Sequence, residues 1–210
     1  MKLIIFGASR GVGRSLTEFA LVEGHQVTAV ARNPSNLNLN HALLTVVAGD
    51  VTNAAFVAQA IKGHGMVFCA VSGKGNHAVN TLPSTAARNI TQAMNAHGVR
   101  RLIFVSIWGV LGEKPSNFLP AIQLSGLKRA FPTAFEDSRR ALDELQKYDW
   151  EWIAVRPVAL TNGKRTGHYR IALDGLPESG WHISRADVAD FMLKQVNRDE
   201  YVHKMPAIAY

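Results

Sequence analysis

The sequence predicts an α/β protein built on a doubly wound parallel sheet, with helices on both faces and a small appended substrate region. Short apolar runs alternate with helical patterns from the first residues onward, which is how a parallel sheet joined by right-handed crossovers reads in sequence. The runs are mostly continuous rather than alternating, as strands covered on both faces require. Between the first run and the first amphipathic pattern lies a glycine loop, Gly7-Ala8-Ser9-Arg10-Gly11-Val12-Gly13. A strand, a glycine turn and a helix in that order are the opening of a Rossmann-type unit.

The strands are expected at Leu3 to Phe6, Gln26 to Ala31, Leu43 to Val47, Met66 to Val71, Leu102 to Ser106 and Trp152 to Val155, each rich in Val, Ile, Leu or Phe. Leu16, Phe19 and Ala20 recur at helical spacing after the loop, and Ile90, Ala93, Met94 and His97 do so before Gly98. Gly24 and Gly98 stand where helices end. A further helix is expected from about Thr133 to Lys147. A last one, from Ser184 or Arg185 to Asn197, carries Val188, Phe191, Met192 and Val196 on one face, with Ser184 and Asp187 spaced as an N-terminal cap. The stretch Trp108 to Pro132 holds Pro115, Pro120 and Pro132 and is read as irregular. Ligands in open α/β sheets bind outside the carboxyl ends of the strands, so residues 108–132 and 157–183 are expected to flank the substrate pocket.

With 210 residues, 47% hydrophobic and 19% charged, one folded domain spanning 1–210 is expected. The start is too short in apolar residues for a signal peptide, and no run approaches a membrane span. The one cysteine, Cys69, lies in an apolar run, which excludes a disulfide framework and favours the cytoplasm. The formal charge of +7 favours anionic ligands, but its basic residues are scattered and carry no nucleic-acid signature, so no nucleic-acid partner is expected. Eight histidines, His64, His77 and His97 among them, show no ligand spacing, so no metal is expected.

Three glycines at the strand-to-helix turn let backbone approach a pyrophosphate, and the helix start offers free N–H groups and the positive end of its dipole. That assigns Gly7, Ser9, Arg10, Gly11, Val12 and Gly13 to a dinucleotide. About 20 residues on, an acid would bind an adenosine 2′-hydroxyl, whereas a basic residue accommodates a 2′-phosphate. This chain has Arg32 there, and Arg10 adds a second guanidinium, so NADP(H) is expected in preference to NAD(H). Asp50 and Val51 follow the third strand, where carboxylate and N–H can meet adenine; Asp50 could equally cap the next helix. Ala70-Val71-Ser72-Gly73 follows the fourth strand, where backbone passes the ribose and nicotinamide side.

These residues resemble the atypical short-chain dehydrogenase/reductases, in particular the branch of biliverdin reductase B, which is also a flavin reductase. The resemblance runs through nearly the whole chain, on the loop, Val27 to Arg32, Gly49-Asp50-Val51, Ala87 to Ile90, Ala96 to Val99, Thr166 to Tyr169, Leu173 to Gly175, Ile183 to Asp187 and Phe191 to Leu193. It implies a monomeric Rossmann fold holding NADP(H) through Gly7, Ser9, Gly13, Arg32 and Asp50, with a shallow apolar pocket over the nicotinamide. Three departures stand out. Asn36 replaces a second arginine, Ile107 replaces the second of two hydroxyl residues after the fifth strand, and Ala159 replaces a pocket histidine.

Many short-chain dehydrogenases use a Tyr-x-x-x-Lys pair, in which the lysine lowers the phenol pKa so that it can serve a carbonyl. Here Tyr148, Tyr169 and Tyr201 are followed four positions later by Trp152, Leu173 and Met205. Hydride transfer to a flavin, quinone or similar conjugated acceptor asks for stacking and positioning instead. Ser106 is the candidate to contact nicotinamide or substrate, against a locally bonded strand-end serine. Trp108 is the candidate stacking wall, against ordinary core packing. The expected function is therefore NADPH-dependent reduction of such a small-molecule acceptor. The alternative is a non-catalytic NADP(H)-sensing regulator of the NmrA type.

Overall fold

The computed structural model describes residues 1–72, 81–113, 118–177 and 180–210, with the backbone alone for 118–123. Gly73, His77 and Pro115, named above, lie outside the described residues. Among the described residues ten strands and six α-helices follow in chain order: β1 (Lys2–Phe6), α1 (Gly11–Val22), β2 (Gln26–Ala31), β3 (Leu44–Ala48), α2 (Ala54–Ile61), β4 (Met66–Cys69), α3 (Leu82–His97), β5 (Arg101–Val105), α4 (Phe118–Ala130), α5 (Pro132–Leu145), β6 (Glu151–Pro157), β7 (Ala159–Thr161), β8 (Arg170–Ala172), β9 (His182–Ser184), α6 (Arg185–Lys194) and β10 (Ala207–Ala209).

Eight strands form one sheet in the order β3-β2-β1-β4-β5-β6-β10-β8. The first six are parallel, β10 joins β6 in parallel, and β8 closes the edge antiparallel to β10. A separate parallel pair joins β7 to β9. This is the Rossmann order of strands. Successive residues of β1 alternate between two cores: Leu3 and Ile5 face the α1 and α6 side, Ile4 and Phe6 the α2, α3 and α5 side. Both faces are covered, which is why the strands read as unbroken apolar runs.

Helix ends follow the local chemistry. The Ser184 hydroxyl accepts the Asp187 N–H at 2.9 Å, as the cap spacing predicts. Gly98 caps α3 with φ 68, and Gly24 follows α1 with φ 79. Asn53, not Asp50, caps α2, accepting from the Phe56 N–H at 3.1 Å. The stretch read as irregular contains α4 over about half of its length, because Pro120 and Pro132 fall in the first turns of α4 and α5, where a missing N–H costs nothing. Cys69 is fully buried, and burial pushes its thiol up to about 12.

Candidate functional site

The carboxyl ends of β1, β2, β4 and β5 open into a cleft of about 650 Å³. It sits where strand order reverses, with β2 and β3 on one side of β1 and β4 onward on the other, the crevice that such a topology leaves for a ligand. Its lining includes Gly7, Ser9, Arg10, Gly11, Val12, Arg32, Asp50, Val51, Ala70, Val71 and Ser72, so eleven of the residues singled out for cofactor binding meet in one place.

The floor depends on close backbone approach. Gly7 has φ +83, and a Cβ there would lie 2.8 Å from the Ala70 carbonyl oxygen, so only glycine lets the end of β1 pass the end of β4. Gly13 does not line the cleft but sets its depth: a Cβ there would fall 2.2 Å from the Gly7 carbonyl oxygen. The start of α1 is thereby seated against the loop. Arg10 occupies its N-cap position without a side-chain cap, which leaves the first-turn N–H groups to the cleft.

At the end of β2 and on the glycine loop, Arg10, Arg32 and Asn36 are exposed along the rim. The Arg14 guanidinium donates to the Asn36 carbonyl at 3.4 Å, tying the 34–36 turn to α1. The Thr52 N–H and hydroxyl both donate to Asp50 Oδ1, at 2.9 and 2.8 Å. That backbone bond lowers the Asp50 pKa against the opposing effect of burial, helped by the Thr52 hydroxyl and the Arg32 charge. The carboxylate is held ionised and oriented.

The two residues assigned to chemistry are placed differently from the rest. Ser106 follows β5 directly, with its N–H on the Val155 carbonyl at 2.8 Å; its hydroxyl is buried and finds no partner among the described residues. Trp108 lies inside the α1 and α6 core, 4% exposed, its indole N–H donating to the Gly175 carbonyl at 2.8 Å and its ring edge-to-face with Trp181. It offers no stacking face to the cleft. No described residue of 108–132 lines the cleft, whereas Leu160 and Asn162 from the 157–183 stretch do. A buried ion pair between Arg156 and Glu113 instead ties the segment after β5 to β6, with burial pushing the Arg156 pKa down to about 10.

Arg185 lines the cleft as well, a residue that sequence reasoning placed only at a helix start. Its neighbour Asp187 is buried beneath it and accepts from Tyr210 Oη at 2.5 Å, Thr166 Oγ1 at 2.8 Å, and the Thr166 and Gly167 N–H groups at 2.8 Å each. Burial alone would raise the Asp187 pKa, but these bonds outweigh it and hold the carboxyl below its ordinary value. Among the described residues no group of His, Cys, Asp and Glu could hold a metal ion, and no helix is long and apolar enough to cross a membrane.

A family model described as NAD(P)H-binding matches residues 7–199. An uncharacterised protein of Mycobacterium tuberculosis is 28% identical over 207 residues, covering 95% of this chain but 19% of its own length. The chain thus spans about a fifth of that relative. Among solved structures, a putative exported protein from Burkholderia pseudomallei superposes with TM-score 0.81 at 26% identity, covering 100% of both chains. A short-chain dehydrogenase/reductase from Veillonella parvula, solved in complex with NADP, shares the fold at TM-score 0.81 and 19% identity, covering 100% of this chain and 94% of that one.

Proposed function

The chain belongs to the NAD(P)H-binding family, and from that premise we propose that it is an NADPH-dependent oxidoreductase acting on a flavin, a quinone or a similar conjugated small molecule. The observation that carries the reading is the make-up of the cleft wall. Its charged lining residues are Arg10, Arg32 and Arg185 against the single carboxylate of Asp50, and no described lining residue is Tyr, His, Lys, Cys or Glu. Guanidinium forks match phosphate oxygens, and the absence of an acid after β2 favours a 2′-phosphate over a 2′-hydroxyl. NADP(H) is therefore the preferred cofactor.

Among its described lining residues the wall offers no side chain that could give up a proton near neutral pH. A ketone needs such a donor. A conjugated, electron-poor acceptor takes hydride and is protonated by water, so the protein's part is to bind, orient and exclude competing geometries. When bound, the cofactor supplies the hydride from its nicotinamide. The loop from Gly7 to Gly13 would hold the diphosphate, Arg32 and Arg10 the 2′-phosphate, and Asp50 with the Val51 N–H the adenine. Ala70, Val71 and Ser72 would border the ribose and nicotinamide side, while Ser106 lies buried behind the cleft lining at the end of β5. In this reading the protein is a cytoplasmic monomer with no nucleic-acid or membrane partner.

Loss of NADPH absorbance on adding FMN, FAD or a quinone, with NADH a poorer donor, is the expected result. Tight NADP(H) binding with no turnover across that panel would overturn the enzyme reading. It would support the second one, a non-catalytic NADP(H)-sensing regulator of the NmrA type, which the lack of a proton donor among the described wall residues equally favours.

A further inference from the structure

Arg185 reaches the cleft from the opposite wall to the glycine loop. It is the first residue of α6, immediately after the β7–β9 pair, and lines the same space as Gly11 and Arg10. A Cβ built on Gly11 would lie 3.5 Å from Arg185 Cδ and 3.7 Å from its Nε, so the side chain crosses directly over the amino end of α1. One guanidinium nitrogen, Nη1, is anchored on that wall by Asn162 Oδ1 at 2.8 Å and the Leu160 carbonyl at 3.3 Å. Its Nη2 and Nε make no hydrogen bond among the described residues. We propose that Arg185 is a cofactor-binding residue that spans the cleft over Gly11 and donates its remaining N–H groups to the dinucleotide diphosphate.

The inference rests on the dinucleotide reading above and extends it to a residue outside the glycine loop. Loop N–H groups and the dipole of α1 hold a diphosphate from below; a fixed cation above Gly11 would hold it from the other side. The fork is already oriented by Asn162 and Leu160, so little side-chain freedom is lost on binding. Its base is fixed too. Ser184 caps α6, Asp187 anchors the first turn on Tyr210, Thr166 and Gly167, and α6 packs beside α1 in a shared core. The substrate-side strands and the glycine loop would therefore be joined through the bound cofactor.

The test separates this role from 2′-phosphate recognition by the choice of probe. Dissociation constants are measured calorimetrically for NADPH, NADH and adenosine 2′-monophosphate, which lacks a diphosphate. Arg185→Gln is expected to weaken NADPH and NADH by the same factor, about ten- to a hundredfold, and to leave adenosine 2′-monophosphate unchanged. Arg185→Lys, which keeps the charge but not the fork, should fall between. If the unaltered protein binds neither dinucleotide, the cofactor reading itself fails. If it binds both and Arg185→Gln binds them equally well, this inference alone is overturned. Equal loss for all three probes would also overturn it, since that pattern marks a general disturbance of the fold.

Discussion

Gly13→Ala is the substitution that most directly tests how the cleft is built. In a helix, alanine ordinarily replaces glycine with a gain of about 1 kcal/mol. Here the sign should reverse. The new Cβ would sit 2.2 Å from the Gly7 carbonyl oxygen, 2.8 Å from its carbon and 3.2 Å from Ala8 Cα. All three are backbone atoms, so no side chain can swing aside. Relief requires the start of α1 to retreat by about 1 Å, and overpacking on that scale costs about 1–3 kcal/mol. In a chain of this size each kcal/mol is about 2–4 °C of melting temperature.

The functional cost should be larger than the structural one. Hydrogen bonds to charged groups contribute about 1.5–3 kcal/mol each and weaken steeply once displaced from their optimum. A retreat of α1 moves its first N–H groups away from the loop together, so NADPH affinity should fall about a hundredfold or more. Thermal melting and calorimetric titration of the same preparation read both effects. A Gly13→Ala protein that melts no lower than the parent and binds NADPH equally well would refute the claim that helix–loop contact sets the depth of the cleft.

Arg32→Asp should weaken NADPH about a hundredfold while leaving NADH nearly unaffected, read by the two dissociation constants; equal losses would remove Arg32 from 2′-phosphate recognition. Asp187→Asn should destabilise the protein by about 3 kcal/mol or more, because an amide keeps one neutral acceptor oxygen where the carboxylate accepts from Tyr210 Oη, Thr166 Oγ1 and the Thr166 and Gly167 N–H groups, and urea unfolding at neutral pH measures it. Because the folded Asp187 pKa lies below its unfolded value, the carboxylate's contribution is complete above about pH 4 and is lost as pH falls through the folded value. The gap in stability between parent and Asp187→Asn should accordingly close in acid; a gap independent of pH would refute the assignment.

Most of the sheet was legible because its strands are buried on both faces. Gln26 to Ala31 is β2 as expected, and β1, β3 and β5 differ from expectation by a residue or so at their ends. The short strands β7 to β10 carry three residues each, too few to show any period. α4 was hidden by prolines that read as breaks, although Pro120 and Pro132 stand in the first turns of α4 and α5, where proline suits a helix. The half of the cleft at the ends of β1 and β2 was legible because a glycine loop and the residue after the second strand lie close in sequence. Arg185 was not, since its place opposite Gly11 is created by the packing of α6 beside α1. Trp108 shows the reverse limit: its position after β5 suggested a wall, but the Gly175 carbonyl draws its indole inward.

Cys69 has a use outside the biology of the protein. Buried at the end of β4, where desolvation pushes its pKa up to about 12, it stays a protonated thiol at neutral pH. Alkylating reagents and mild oxidants should pass it by. The chain is therefore a chemically silent background, on which a cysteine introduced at an exposed position such as Val22, 83% exposed on the outer face of α1, would be the one thiol to take up a fluorophore or spin label. A pair of such cysteines, one on each wall, would let distances across the cleft be followed.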